Sequence, residues 1–231
     1  MKHLANEGNA NLHSNSYEHK NSSKRVFNLI IVDESGSMSI IERQALAGLN
    51  ETLQTIGKMQ ELHSDMEQRV TLITFDSSHK RYVFDNAPVS ATHLLTAKEY
   101  RPGGATPLYD AIGMGVSKLN AQTEAGDNVL VTIITDGEEN CSREYNLNMV
   151  KTLIGKLKKQ GWTFTLIGTD NLDVQGMASS MAIDNHLEFA EDEAGTQAMF
   201  DRDRNARVCF NACLAKGVML EPGSYFEEDD D

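Results

Sequence analysis

The sequence predicts an α/β fold, a mostly parallel central sheet with one antiparallel edge strand and helices on both faces. Three observations carry this prediction. Apolar runs of strand length alternate with longer segments whose apolar residues recur every three or four positions, which is the pattern of repeated βα units. Two runs, 26–32 and 128–135, are apolar or β-branched almost throughout, as strands covered on both faces are. A shorter pair, 69–75 and 81–86, is joined by Asp76-Ser77-Ser78 and reads as a hairpin at the sheet edge.

The remaining elements follow in order. Helix 40–62 places Ile41, Ala45, Leu49, Leu53, Ile56 and Met59 on one face. After the hairpin, the loop Pro102-Gly103-Gly104-Ala105-Thr106-Pro107 leads into a helix with the stripe Leu108, Ala111, Ile112, Gly115, Val116 and Leu119. Pro107 suits its first turn, and Thr106 is expected to cap it. Strand 128–135 is followed by helix 147–160, for which Gly161 is the expected stop. Strand 162–168, a short helix 174–182, strand 186–189 and a long helix 194–215 complete the domain. The organisation expected is a disordered polar tail over 1–24, one domain over 25–217, and an acidic tail over 218–231 that includes Tyr225 and Phe226.

Composition narrows the function. With 231 residues, 40% hydrophobic and 24% charged, the chain suits one sizeable domain, and no run approaches the roughly 18 apolar residues of a membrane span. A net charge of −13 argues against a nucleic-acid partner, whose phosphates it would repel. Residues 1–23 lack the apolar core of a signal peptide, and the three cysteines, Cys141, Cys209 and Cys213, describe no disulfide framework. A cytoplasmic location is therefore expected. Cys209 and Cys213 are read as small core residues on one helix face, and Lys151, Lys156, Lys158 and Lys159 as a solvated face.

Chemistry concentrates at strand tips. Asp33-Glu34-Ser35-Gly36-Ser37-Met38 follows the first apolar strand without a gap, and Asp136-Gly137 closes the strand 128–135. In an open parallel sheet, carboxyl ends of neighbouring strands converge, so Asp33 and Asp136 should meet. Two carboxylates with the hydroxyls of Ser35, Ser37 and Thr106 form a hard-oxygen set suited to Mg²⁺, with Mn²⁺ or Ca²⁺ possible. Glu34 is expected to turn away by alternation, Glu138 and Glu139 to form a solvated rim, and Asp110 to lie at the surface or behind the site. Gly36, Gly103, Gly104 and Gly137 would let backbone pass close to an ion.

Asp-x-Ser-x-Ser after the first strand, a Thr on a glycine-rich loop and a later strand-closing Asp-Gly resemble the metal-ion-dependent adhesion site of von Willebrand factor A domains. All five positions of that site are matched, by Asp33, Ser35, Ser37, Thr106 and Asp136, and the resemblance runs over most of the chain. It is similar in flavour to intracellular bacterial members, including those associated with tellurite resistance. The resemblance implies the Rossmann-like fold of that family, with Ser35 and Ser37 as direct ligands. Thr106 and the two aspartates would bind directly or through water, and a partner protein's Asp or Glu would complete the ion's coordination. No catalytic residues are implied.

Two alternatives differ in class. A metal-dependent phosphohydrolase could use Asp33 as nucleophile, but such enzymes place a second acid where Ser35 stands, and no Gly-Lys-Ser or Gly-Lys-Thr loop is present. No histidine is expected in a base-like pairing beside a motif. The run Glu227-Glu228-Asp229-Asp230-Asp231 could instead supply a carboxylate to the site, giving autoinhibition or self-association.

Overall fold

The computed structural model describes residues 24–227. Its elements are β1 (Lys24–Asp33), α1 (Glu42–Leu62), β2 (Met66–Phe75), β3 (Lys80–Pro88), α2 (Leu108–Asn120), β4 (Asn128–Thr135), α3 (Leu147–Lys158), β5 (Trp162–Thr169), α4 (Val174–Ser180), β6 (Asn185–Phe189) and α5 (Glu193–Ala215). The strands form one sheet in the order β3-β2-β1-β4-β5-β6. Every pairing is parallel except β2 with β3, so the hairpin forms the antiparallel edge as predicted.

The sheet divides the core in two. On one face α1 and α5 cover Ile30, Val32, Val70, Leu72 and Leu130. On the other, α2, α3 and α4 cover Leu29, Ile31, Ile73, Val131, Ile133 and Leu166. Consecutive residues of β1 thus serve different layers, which is why residues 26–32 are apolar on both faces, with Asn28 the one polar exception. Gly161, at φ 89°, ends the α3 segment in the left-handed region. Gly48 serves packing instead, because a Cβ built there would sit 2.0 Å from the Phe200 ring. Its absence lets α5 seat an aromatic ring directly on the α1 backbone.

A buried polar network crosses the α5 face of the sheet. Arg207, 1% exposed, donates to Asp203 Oδ2 (2.9 Å), Thr132 Oγ1 (2.6 Å) and Asn28 Oδ1 (3.3 Å). Asn28 donates to Gln68 Oε1, which donates in turn through Nε2 to Asn211 Oδ1. Every strand polar group that faces α5 here has a partner, and Asp203 neutralises the guanidinium.

The structure corrects several expectations. Residues 36–40 form a 3₁₀ turn, so α1 begins at Glu42 rather than near 40. Pro107 occupies the N-cap of α2 with no side-chain cap, so Thr106 does not cap that helix. Tyr225 and Phe226, assigned to an acidic tail, are buried: Tyr225 donates its hydroxyl to Asp203 Oδ1 (3.2 Å) and its amide to Asn185 Oδ1 (3.0 Å). Residues 228–231, which hold most of the expected acidic run, lie outside the described residues, as do residues 1–23. Cys209 is exposed and Cys213 half-buried, because that face of α5 looks to solvent and not into the core.

Candidate metal centre

The parallel register sets Val32 opposite Ile134, which brings Asp33 level with Thr135 and just ahead of Asp136. The connections that leave β1 and β4 pass to opposite faces of the sheet, opening a crevice at their carboxyl ends. Two backbone bonds hold the glycine-rich loop along this crevice, Gly36 N–H to Gly104 O (3.1 Å) and Gly103 N–H to Glu34 O (2.8 Å). Asn140 ties the loop to the segment after β4, since its Oδ1 accepts from Thr106 N–H and its own N–H reaches Thr106 O.

These ties bring all five predicted residues together. Ser37 Oγ donates to Asp136 Oδ1 at 2.8 Å and lies 3.3 Å from Ser35 Oγ. Asp33 is fully buried; Oδ1 accepts from Ser35 N–H (2.8 Å) and Oδ2 from Thr135 Oγ1 (2.6 Å). A Cβ built on Gly137 would lie 2.9 Å from Thr106 Oγ1 and 3.7 Å from Asp33 Oδ2, so the Thr106 hydroxyl and the Asp33 carboxylate both border the space that Gly137 leaves free. Gly104 is required as well, with φ 76° and Ser77 Oγ 2.6 Å from where its Cβ would stand. Gly36 and Gly103 are not sterically required, because a Cβ at either meets nothing closer than 3.6 Å.

Electrostatics agree with this geometry. Burial pushes Asp33 above the usual carboxylate range despite the hydrogen bonds from Thr135 and Ser35. Burial also pushes Asp136 up, to about 6, and the Asp33 charge adds to it against the Ser37 hydrogen bond. Asp136 Oδ2 is buried with no hydrogen-bond partner among the described residues. An orphaned carboxylate oxygen amid hydroxyls and a second carboxylate is the arrangement a cation would complete. Among the described residues no group of three or more His, Cys, Asp or Glu could hold a metal, so an ion here would draw on the two carboxylates together with hydroxyl oxygens, a hard-oxygen set compatible with Mg²⁺.

Around this centre lie residues whose roles sequence reasoning missed. Glu34 turns away, as expected, but into a buried knot: Oε2 meets His79 Nε2 at 2.9 Å, Arg81 Nη2 lies 3.3 Å away, and Oε1 accepts from Arg101 N–H. His79 is therefore paired beside a motif, against expectation, and its Nδ1 lies 3.0 Å from Asp76. Glu139 is no solvated rim; it accepts from the amides of Tyr109, Cys141 and Ser142. Asp110, 3% exposed, is not at the surface, and accepts from the amides of Arg143, Glu144 and Tyr145. Those bonds and Lys80 hold it below the usual carboxylate range despite burial. Only the turn signal at 76–78 hinted at any of this. Glu138 alone is the exposed rim residue expected.

Comparison with known proteins adds an independent view. The family model described as von Willebrand factor type A domain matches residues 29–202. No curated protein matches the chain. Among solved structures, the vWF domain of the type V pili tip protein Mfa5 from Porphyromonas gingivalis superposes with a TM-score of 0.57 at 11% identity, covering 86% of this chain and 98% of that one. The SpRpn10 VWA domain gives a TM-score of 0.54 at 11% identity, with 78% and 94% covered. The PilB minor pilin from Streptococcus sanguinis gives 0.55 at 13% identity; the match covers 85% of this chain but 62% of the pilin, less than two thirds of its length. At such identities the likeness is one of fold.

Proposed function

The chain belongs to the von Willebrand factor type A domain family, and from that premise we propose that it is a protein-recognition module working through a bound divalent cation. Asp33, Ser35, Ser37, Thr106 and Asp136 would hold the ion, Mg²⁺ by the hardness of the donors, and an Asp or Glu side chain of a partner protein would be its outside ligand. When bound, the ion supplies a Lewis-acidic point for that carboxylate. The chain's own residues shape the site: Thr135 and the Ser35 amide orient Asp33, Ser37 orients Asp136, and the Asn140 tie positions Thr106. Two carboxylates roughly neutralise a divalent ion and leave it attractive to a third.

The observation that carries this reading is the buried, unpartnered Asp136 Oδ2 beside two serine hydroxyls and Asp33. Nothing comparable supports Asp33 as a phosphohydrolase nucleophile, because both its oxygens accept hydrogen bonds and it is wholly buried. Three unpaired cysteines suit a reducing compartment, so the cytoplasm is the location proposed. Water-proton relaxation with Mn²⁺ tests the site. Saturable enhancement in the wild type, competed by Mg²⁺ and absent in Asp136→Asn, is expected; equal enhancement in both would remove the basis of the proposal.

A further inference from the structure

Beside the proposed ion site, between the start of α2, the loop after β4 and α4, lies a cavity of about 140 Å³ that the reading above does not use. Leu108 and Met181, both buried, give it an apolar floor, and Tyr109 and Met177 form half-buried walls. Two carboxylates stand at it with different duties. Glu139 is engaged by backbone amides and the Ser142 hydroxyl, whereas Glu138 is exposed and makes no hydrogen bond or ion pair among the described residues. The Tyr109 hydroxyl is held above its usual range by burial and then by the charges of Glu139 and Glu138, the two carboxylates that line the cavity with it.

An apolar floor with an unpaired carboxylate at the mouth fits a cation on an aliphatic stem, whose methylenes lie against Leu108, Met177 and Met181 while the charge reaches Glu138. Position strengthens the match. Glu138 follows Asp136 by two residues, Tyr109 follows Thr106 by three, and the charge of Glu191 also reaches Asp136. A partner that brings only a carboxylate to this centre therefore meets an acidic rim, and a basic side chain next to that carboxylate offsets the repulsion.

We propose that the Tyr109–Glu138–Met177 cavity is a subsite for a lysine or arginine side chain of the same partner whose acidic residue reaches the ion. The pairing with an acidic residue rests on the function proposed above; the cation subsite rests on the cavity alone.

Methionine-methyl NMR of the full chain separates the two. In EDTA, N-acetyl-lysine methylamide should shift the Met177 and Met181 methyls saturably, with N-acetyl-norleucine methylamide weaker by about two- to fivefold, the scale of an exposed ion pair. Glu138→Gln, an exposed and isosteric change, should abolish the difference. Equal shifts from both probes, or no effect of Glu138→Gln, would overturn the subsite whatever the ion does. With Mg²⁺, peptides carrying Asp one to three residues from Lys should include one that binds about tenfold tighter than its Asn counterpart. If the lysine probe binds but no Asp peptide gains from Mg²⁺, the shared-partner proposal is overturned together with the ion reading, and a bare cation site is what remains.

Discussion

Ser37 Oγ donates to Asp136 Oδ1 at 2.8 Å, so the loop after the first strand and the tip of the fourth, 99 residues apart in sequence, are joined by a direct hydrogen bond. That bond leaves Asp136 Oδ2 without a partner and with the Asp33 charge close by. An unpaired buried carboxylate of this kind is what the proposed ion would satisfy, and its raised pKa makes the centre sensitive to pH.

Metal binding should be linked to protons. Asp136 titrates near 6 and Asp33 is also raised, so a cation competes with protons below that pH. Affinity for Mn²⁺ should fall by up to about tenfold for each pH unit below 6 and level off above it. In the metal-free protein both folded values lie above the unfolded ones, so the stability that Asp136 contributes is fully present below about 4 and is lost as pH rises through about 6, with Asp33 acting in the same direction. Thermal melts from pH 4.5 to 7.5 should show Mg²⁺ stabilising more at the high end; a shift independent of pH would contradict the linkage.

Gly137→Ala should weaken the ion site more than the fold. The new methyl would sit 2.9 Å from Thr106 Oγ1, forcing the hydroxyl aside. Roughly tenfold weaker Mn²⁺ binding is expected, the scale seen when the supports of a ligand are disturbed. Gly103→Ala, which meets nothing within 4 Å, is the matched control and should leave affinity unchanged.

Arg207→Ala should cost about 3–5 kcal/mol in urea denaturation, because it leaves Asp203 buried and charged and strips Thr132 of its donor. Arg207→Met with Asp203→Leu should recover part of the loss, since no charge is then stranded. If the single and double variants are equally unstable, the network matters through shape and not through charge.

Tyr225→Ala should cost about 3–5 kcal/mol, as expected for an aromatic ring lost from the core, and Tyr225→Phe about 1 kcal/mol for the bond to Asp203. Insensitivity to either change would show that the segment after α5 is only loosely docked.

That Asp33, Ser35, Ser37, Thr106 and Asp136 converge was legible because each stands next to an element with a strong apolar pattern. Runs 26–32 and 128–135 could only be central parallel strands, and parallel neighbours align their tips. Glu34, Asp110 and Glu139 were not legible because their partners are mostly backbone amides of irregular loops, whose paths no periodicity encodes. Asn28, Gln68 and Thr132 are different: each is a polar residue within a buried strand, and together they imply a polar side chain arriving from a helix. Arg207 is that side chain, and its position on α5 was hidden because the helix otherwise read as ordinary. Tyr225 was misread because the acidic residues that follow outweighed two aromatics in a compositional reading.

Phe200 rests on Gly48, joining the last helix of the domain to the first. During synthesis the part of α1 and of the sheet that α5 covers stays wet until α5 itself has left the ribosome. The half of the core that contains this contact thus closes late, through contacts distant in sequence, a topology that slows folding and lengthens exposure to aggregation. Fragments that stop before α5 should therefore be sticky rather than merely less stable.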